Sequence, residues 1–232
     1  MLLTQWEKLP TELKTEETKA YYDYLKSRII SLMIKRLFDI VISLGLMVLL
    51  SPVFLIIAFC IKLDSKGTIF YCQERVTFNN KNFKIFKFRT MISNADTVGS
   101  LVTVGNDSRI TRVGSKIRKC RLDEIPQLIN IFLGQMSLVG TRPEVRRYVD
   151  VYTPEMMATL LLPAGVTSLA SIRYKSEDEI LDKYTEKGLS VDEAYVNYVL
   201  PDKMKYNLEY MKSFSFIGDI KLMIQTLLSV IF

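Results

Sequence analysis

The sequence predicts an α/β protein, mostly helical with a small β-hairpin or sheet, organised around one broken apolar helix. Three observations carry this. A run of 22 residues without a formal charge, Ile40 to Ile61, is interrupted by Ser51-Pro52. The β-prone stretch TIFYC at 68–72 is followed, after Asn79-Asn80, by FKIFKFRTM at 83–91. Apolar residues then recur at helical spacing around Leu122–Phe132 and again at 213–232.

Composition narrows the chemistry before any motif does. The 232 residues suit one domain of ordinary size plus appendages. Apolar residues make up 49%, and mean hydropathy is +0.15, high for a purely soluble chain. The net charge of +6 points to phosphate-rich partners: anionic lipid, nucleotide or nucleic acid. There is no histidine, so histidine bases, Ser-His and Cys-His pairs and histidine-bound zinc are excluded together. Cys60, Cys72 and Cys120 have no metal-ligand or redox spacing, which predicts reduced thiols in a cytoplasmic compartment. No cleavable leader is expected, because the first 34 residues are mixed and charged.

The broken helix follows a polar arm, residues 1–34, read as solvated or loosely docked and given no chemistry. At ~1.5 Å per residue the uncharged run is long enough to cross a bilayer core as a straight helix. Pro52 argues against a straight one, since it removes a backbone donor in mid-run. Cations flank both ends, Lys35 and Arg36 before and Lys62 and Lys66 after, and both then belong on the cytoplasmic side. A helix that enters one leaflet, breaks at Ser51-Pro52 and returns meets both conditions. A plain kinked transmembrane helix is the alternative. Asp39 would sit at interface depth, paired with Arg36.

Asn79-Asn80 suits the turn of a hairpin. In an extended Phe86–Thr90, Phe86 and Phe88 share one face, and Lys87 and Arg89 share the other, either as the ordinary surface charges of a half-exposed strand or as a pair of cations offered to an anion. Segment 106–121, NDSRITRVGSKIRKCR, is basic but lacks the interleaved aromatics of a nucleic-acid surface. Asp123 and Glu124 follow Arg118, Lys119 and Arg121 and precede Pro126, which places them at or just before a helix N-terminus. An acidic cap is the ordinary reading of that spacing. A carboxylate nucleophile beside a bound phosphate is the other. Arg142, before Pro143, is biased to an extended backbone and suits phosphate gripping. Residues 149–212 read as a peripheral helical layer, with a capping box at Ser176 and Glu179. Arg173 and Tyr174 are expected to pack. The last 20 residues read as an amphipathic surface helix with a polar stripe at Gly218, Lys221, Gln225 and Ser229.

From Lys35 onward the chain resembles the monotopic phosphoglycosyl transferases, bacterial sugar transferases that start capsule, O-antigen or glycoconjugate synthesis. The resemblance rests on Lys35-Arg36 with Asp39, Ser51-Pro52, QERV at 73–76, KFRTM at 87–91, NDSRITRVG at 106–114, RLDEIPQLIN at 121–130 and MSLVGTRPE at 136–144, in that order. It implies a monotopic membrane protein of the bacterial inner membrane. The arm would be 1–34, the re-entrant helix 35–62, and a cytoplasmic catalytic domain 63–232. It implies transfer of a sugar 1-phosphate from a UDP-sugar to polyprenyl phosphate, with Mg²⁺. Asp123 would be the nucleophile, releasing UMP, and Glu124 would bind Mg²⁺ with it or assist the acceptor. Lys87, Arg89, Arg118, Arg142 and Asp219 would hold phosphate or nucleotide sugar. The resemblance further implies membrane lipid as a partner, no nucleic acid, and room for a homodimer. The other reading is a non-catalytic membrane adaptor that grips anionic lipid or a biosynthetic partner. Three positions depart from the family pattern: Thr77 stands where a glycine is common, Thr141 replaces the first proline of GPRP, and 163–168 reads PAGVTS.

Overall fold

In the computed structural model, which describes residues 3–92, 108–174 and 177–231, the N-terminal segment is part of the core. Two 3-10 turns, Trp6–Lys8 and Thr11–Leu13, lead into helix α1 (Glu16–Ser27), whose N-cap Thr15 accepts from the Thr18 amide at 3.2 Å. Read as a loosely docked arm, this stretch instead buries Leu9, Leu13, Tyr21 and Leu25 with Leu161, Met211 and Phe214. Thr18, Tyr21, Tyr22 and Leu25 form the buried helical stripe. Between them lie enough charged residues to hide it in composition. Tyr21 also donates to Glu155 at 2.5 Å and Tyr24 to the Phe214 carbonyl at 3.0 Å.

Helix α2 (Ile29–Leu49) is inside out by the standards of a soluble helix. Its buried positions are Leu32, Lys35, Asp39 and Ser43, while Ile30, Leu37, Val41, Val48 and Leu49 are each more than half exposed. Lys35 donates to the Val139 carbonyl (2.7 Å) and to Asp219 (2.6 Å). Asp39 accepts from the Ser137 hydroxyl (2.8 Å) and the Leu138 amide (3.1 Å), not from Arg36. The physical reason is depth: Asp39 is buried against two fixed donors, while Arg36 lies nearer the helix edge and donates to the Ile131 and Phe132 carbonyls at 2.7 and 2.9 Å.

Helix α3 (Ser51–Asp64) leaves α2 at a bend of 61°. Pro52 has no N–H for the Val48 carbonyl, and the Ser51 hydroxyl takes that carbonyl at 2.8 Å. Among the described residues no single helix is long and apolar enough to cross a membrane; only the bent pair meets that test jointly. Leu55, Ile56, Phe59 and Leu63 of α3 are exposed, whereas Ile57 and Ile61 pack on Phe88 and Ile117.

Strands β1 (Phe70–Thr77) and β2 (Lys81–Phe88) form the expected antiparallel hairpin. Its turn holds Asn79 and Asn80 at φ +56°, a conformation asparagine tolerates better than most residues. Tyr71 lies opposite Lys87, Gln73 opposite Ile85 and Arg75 opposite Phe83, so Arg75 and Lys87 share one face. The expected pair of face-sharing cations divides here. Arg89 lies beyond the strand end, 6% exposed, and donates to the Ser65 and Lys66 carbonyls at 2.7 and 2.9 Å. The carbonyls of the turn that follows α3 claim it.

Helix α4 (Arg112–Lys119), a 3-10 turn (Leu122–Glu124) and helix α5 (Gln127–Phe132) follow, then β3 (Met136–Val139), α6 (Arg146–Val149), a 3-10 segment (Met156–Leu161) and β4 (Ala164–Thr167). Strands β3 and β4 pair in parallel. Beyond β3 the two backbones touch: a Cβ on Gly165 would lie 2.1 Å from the Gly140 nitrogen. Two bonds, Gly140 amide to Thr167 carbonyl (3.0 Å) and Gly165 amide to Thr141 carbonyl (2.8 Å), pin the loop that carries Arg142.

The remaining chain is helical: α7 (Leu169–Arg173), α8 (Glu177–Thr185), α9 (Val191–Ala194), a π-turn (Tyr195–Val199), α10 (Leu200–Ser213) and α11 (Phe216–Ile231). The expected capping box at Ser176 falls outside the described residues; Ser190 and Glu193 form one before α9. Arg173 pairs with Glu209 at 2.7 Å, and the Tyr174 ring lies against that of Tyr206. Helix α11 buries Asp219 and Leu222 and leaves Ile217, Ile224, Leu227 and Leu228 at least half exposed. The described residues are thus mostly helical with two two-stranded sheets.

Candidate active site

The carboxylate pair stands on the tight turn between α4 and α5. Arg121, immediately before it, takes a left-handed conformation (φ +52°), which a non-glycine residue adopts only at a conformational cost. That reversal turns Leu122–Glu124 away from the line of α4. Sequence spacing placed the dyad at or just before a helix, and it does precede α5. The helix has only six residues, however, so its dipole contributes little and side-chain cations must offset the negative charge.

Those cations come from three separate elements. Lys87, on β2, donates to Glu124 at 2.9 Å, with the two side chains 22% and 15% exposed. Arg142, on the loop pinned by the Gly140–Gly165 contact, lines one recess with Glu124, and its charged state is strengthened: burial opposes it, but Glu124, Glu144 and Glu177 outweigh burial. Arg118, on α4, is half-buried and acts on Asp123. Asp123 itself titrates above the ordinary carboxylate range, because burial, aided by the neighbouring Glu124, outweighs Lys87 and Arg118. For Glu124 burial pushes the same way, yet Lys87, Arg142 and Arg121 prevail and its pKa falls. Two adjacent carboxylates therefore differ in character: Glu124 is a held anion, and Asp123 is the more basic and less committed of the two.

Arg75, Lys87, Glu124, Gln127, Arg142 and Gly165 line a recess of ≈ 300 Å³ including its opening to solvent. Burial pulls the Arg75 pKa down, and the nearby Arg142 adds to that effect. An anion bound in the recess would be met by both guanidinium groups. Sequence reasoning did not single out Arg75 or Gln127. The signal for Arg75 was present in the hairpin register, since alternation from Lys87 across to Tyr71, Gln73 and Arg75 puts all four on one face.

Of the residues expected here, the structure brings together Asp123, Glu124, Lys87, Arg118 and Arg142. It does not bring Arg89, committed to the end of α3. Asp219 makes its contacts where α2, α11 and β3 meet, with Lys35 and with Tyr210 at 3.0 Å. Asn106 and Asp107 of the NDSRITRVG segment lie outside the described residues.

The family model for bacterial sugar transferases matches residues 30–232. The chain belongs to that family. It is 33% identical over 201 residues to the UDP-N-acetylgalactosamine-undecaprenyl-phosphate N-acetylgalactosaminephosphotransferase of Aeromonas hydrophila, covering 85% of this chain and 44% of that one. It is 35% identical over 205 residues to the undecaprenyl-phosphate glucose phosphotransferase of Komagataeibacter xylinus, covering 85% of this chain and 36% of that one. It is 31% identical over 208 residues to the exopolysaccharide production protein ExoY of Sinorhizobium fredii, where 83% of each chain is covered. The chain thus spans less than half the length of the first two relatives. In this member of the family two of the departures noted in the sequence have structural work. The Thr77 hydroxyl donates to the Gln135 carbonyl (2.8 Å) and accepts from the Ala164 amide (3.1 Å), tying the hairpin to the second sheet. Thr141 donates to the Thr159 carbonyl at 3.2 Å, fixing the start of the Arg142 loop.

Proposed function

We propose that the protein is a phosphoglycosyl transferase: it moves a sugar 1-phosphate from a UDP-sugar to undecaprenyl phosphate through a sugar-phosphoryl adduct on Asp123. The observation that carries this is the Asp123–Glu124 pair set among Lys87, Arg118 and Arg142. A carboxylate attacks phosphorus only when the repulsion between the two anions is masked, and these cations, held before any substrate arrives, do that. A carboxylate oxygen of Asp123 bonds to the β-phosphorus while the bridge to the α-phosphate breaks, and UMP leaves with the bridging oxygen. An oxygen of the lipid phosphate then bonds to the same phosphorus, and the aspartyl–phosphorus bond breaks, returning the carboxylate. The named substrates of the relatives, UDP-glucose or UDP-N-acetylgalactosamine and undecaprenyl phosphate, support the donor and acceptor classes.

Asp123 and Glu124 fit Mg²⁺, which takes one or two protein carboxylates and completes its shell with water and substrate phosphate. Bound there, it would add positive charge at the phosphates. Among the described residues no group of three or more metal-ligating side chains offers a closed cage.

The exposed apolar residues of α2, α3 and α11 support a seat on the cytoplasmic face of the inner membrane. If α2 and α3 meet the membrane plane symmetrically, a 61° bend tilts each by about 30°. The ten residues from Ile40 to Leu49, ~15 Å long, then descend only about 8 Å, about half of one leaflet. A shallow re-entrant helix of this kind would keep the dyad near lipid headgroups.

The direct test is UMP release. The full chain in lipid nanodiscs, given a panel of UDP-sugars with undecaprenyl phosphate, is expected to release UMP with at least one donor. No release from any donor would favour the membrane-adaptor reading. A pH profile adds a sharper check. Asp123 must be ionised to attack, so kcat/KM falls as pH drops through its pKa, which lies above the ordinary carboxylate value. Lys87 lowers that pKa, so Lys87→Met is expected to move the acid limb to higher pH; an unmoved limb would remove Lys87 from the site's electrostatics.

A further inference from the structure

Behind Arg142 the phosphate recess continues into a second cavity, ≈ 550 Å³ including its opening to solvent, and the two share Arg75 and Arg142 as a common wall. We propose that this second cavity seats the sugar of the donor, and that Glu144, Glu177 and Lys203 decide which sugar it accepts. The inference rests on the phosphoglycosyl transferase reading and deepens it.

The cavity is built rather than incidental. Glu144 and Lys203 are each 6% exposed, and buried charges of this kind persist only when paired. Tyr195, on the π-turn between α9 and α10, donates to Glu144 at 2.7 Å and accepts from Lys203 at 2.9 Å. Lys203 also faces Glu144 at 3.5 Å and Glu177 at 3.3 Å. Tyr148 stacks on Tyr195 with ring centroids 4.4 Å apart, which holds the second ring in place. A π-turn is uncommon and costs helix regularity, and it occurs here where the chain delivers Tyr195 to Glu144.

Charge runs in one direction across the two cavities. The shared wall carries two arginines. Beyond it stand Glu144 and Glu177 with Lys203 between them, so the end away from the arginines carries more negative than positive charge and suits a phosphate less well than the wall does. A neutral ligand rich in hydroxyl groups suits that end, because each hydroxyl both donates and accepts. Carboxylates and an ammonium held in place by one another discriminate among such ligands, since a missing or inverted hydroxyl forfeits a hydrogen bond to a charged group. The two tyrosine rings stack on each other, and that stacking leaves no slot between them for a nucleobase. A β-phosphate between Arg75, Arg142 and Asp123 therefore has its sugar in this cavity and its UMP portion elsewhere.

Glu177 is the best position to probe, because its side chain is 35% exposed and its loss should spare the core. The full chain carrying Asp123→Asn, so that donor is not consumed, is titrated in nanodiscs with UMP and with a panel of UDP-hexoses and UDP-N-acetylhexosamines. Adding Glu177→Gln is expected to weaken at least one UDP-sugar about tenfold, the scale of one hydrogen bond to a charged group. UMP should stay within about twofold, and Lys203→Arg should reorder the same panel. If UMP weakens in step with the donors, the cavity holds the nucleotide and the proposal is overturned. If neither variant changes any donor, it is overturned as well. A parent chain that binds UMP but gains nothing from any attached sugar also overturns it, while leaving the transferase reading standing. A parent that binds no nucleotide sugar removes both.

Discussion

Asp123→Asn is expected to abolish turnover and the protein-bound sugar phosphate together, while leaving the protein as stable as before or more so. Removing the nucleophile of a covalent mechanism costs on the order of 10⁴–10⁶ in kcat, so residual activity should be below detection. The stability half of the prediction comes from the same site. Burial holds the Asp123 pKa above its ordinary value, which means that the folded protein disfavours the ionised carboxylate relative to the unfolded chain. The sign follows: for an acid with a raised folded pKa, stability is present at low pH and is lost as pH rises through that pKa. Asparagine keeps the shape and removes the charge, so at neutral pH its melting temperature should equal or exceed the parent's. Glu124→Gln should behave in the opposite way. Glu124 is held below its ordinary pKa by Lys87 and Arg142, and neutralising it leaves two half-buried cations facing each other. Intact-mass spectra after mixing with a UDP-sugar alone check the adduct, and thermal unfolding checks the stability. An Asp123→Asn chain that still carries the adduct would place the nucleophile elsewhere. One that is inactive but also markedly destabilised would mean that Asp123 serves the fold.

What could be read in the sequence was whatever depends on near neighbours. The Asn79-Asn80 turn, the break at Pro52 and the position of the dyad ahead of α5 are each set within a few residues, by a φ preference, a missing donor and a proline at a helix start. What could not be read were partners far along the chain. Lys35, Asp39 and Ser43 recur every four residues, yet nothing local says that this polar stripe faces inward; Asp219 lies 184 residues from Lys35 and Ser137 lies 98 from Asp39. Arg89 looked available because its claimants, the Ser65 and Lys66 carbonyls just past α3, are 24 and 23 residues away. Arg75 was hidden for the converse reason, since it reaches the site by strand pairing rather than by adjacency. The N-terminal arm was misjudged on composition, because its buried stripe of Thr18, Tyr21, Tyr22 and Leu25 is embedded among charges that point to solvent.

The same long-range contacts decide what should follow when the helix break is removed. In the native chain, tags at residues 1 and 232 are expected to be accessible from the same, cytoplasmic, side. With Ser51→Ala and Pro52→Leu, residue 52 regains an N–H for the Val48 carbonyl, and the hydroxyl that now occupies that carbonyl is gone. A proline inside a helix costs ~3 kcal/mol, and its removal favours a continuous helix by a similar amount. The 22 uncharged residues from Ile40 to Ile61 then form a segment of ~33 Å, enough for a hydrocarbon core of ~30 Å. A chain that inserts this way has its ends on opposite sides. It can no longer bury Leu9, Leu13 and Leu25 against Leu161 and Met211, because those residues would be across the bilayer. Spanning and folding are therefore mutually exclusive, and the variant should divide into a same-side, active fraction and an opposite-side fraction that is inactive and protease-sensitive. Activity should fall in proportion to the tags that change sides. Native termini found on opposite sides would defeat the re-entrant reading at once. A variant with straightened helix but unchanged sidedness and full activity would show that the core contacts, rather than Pro52, hold the topology.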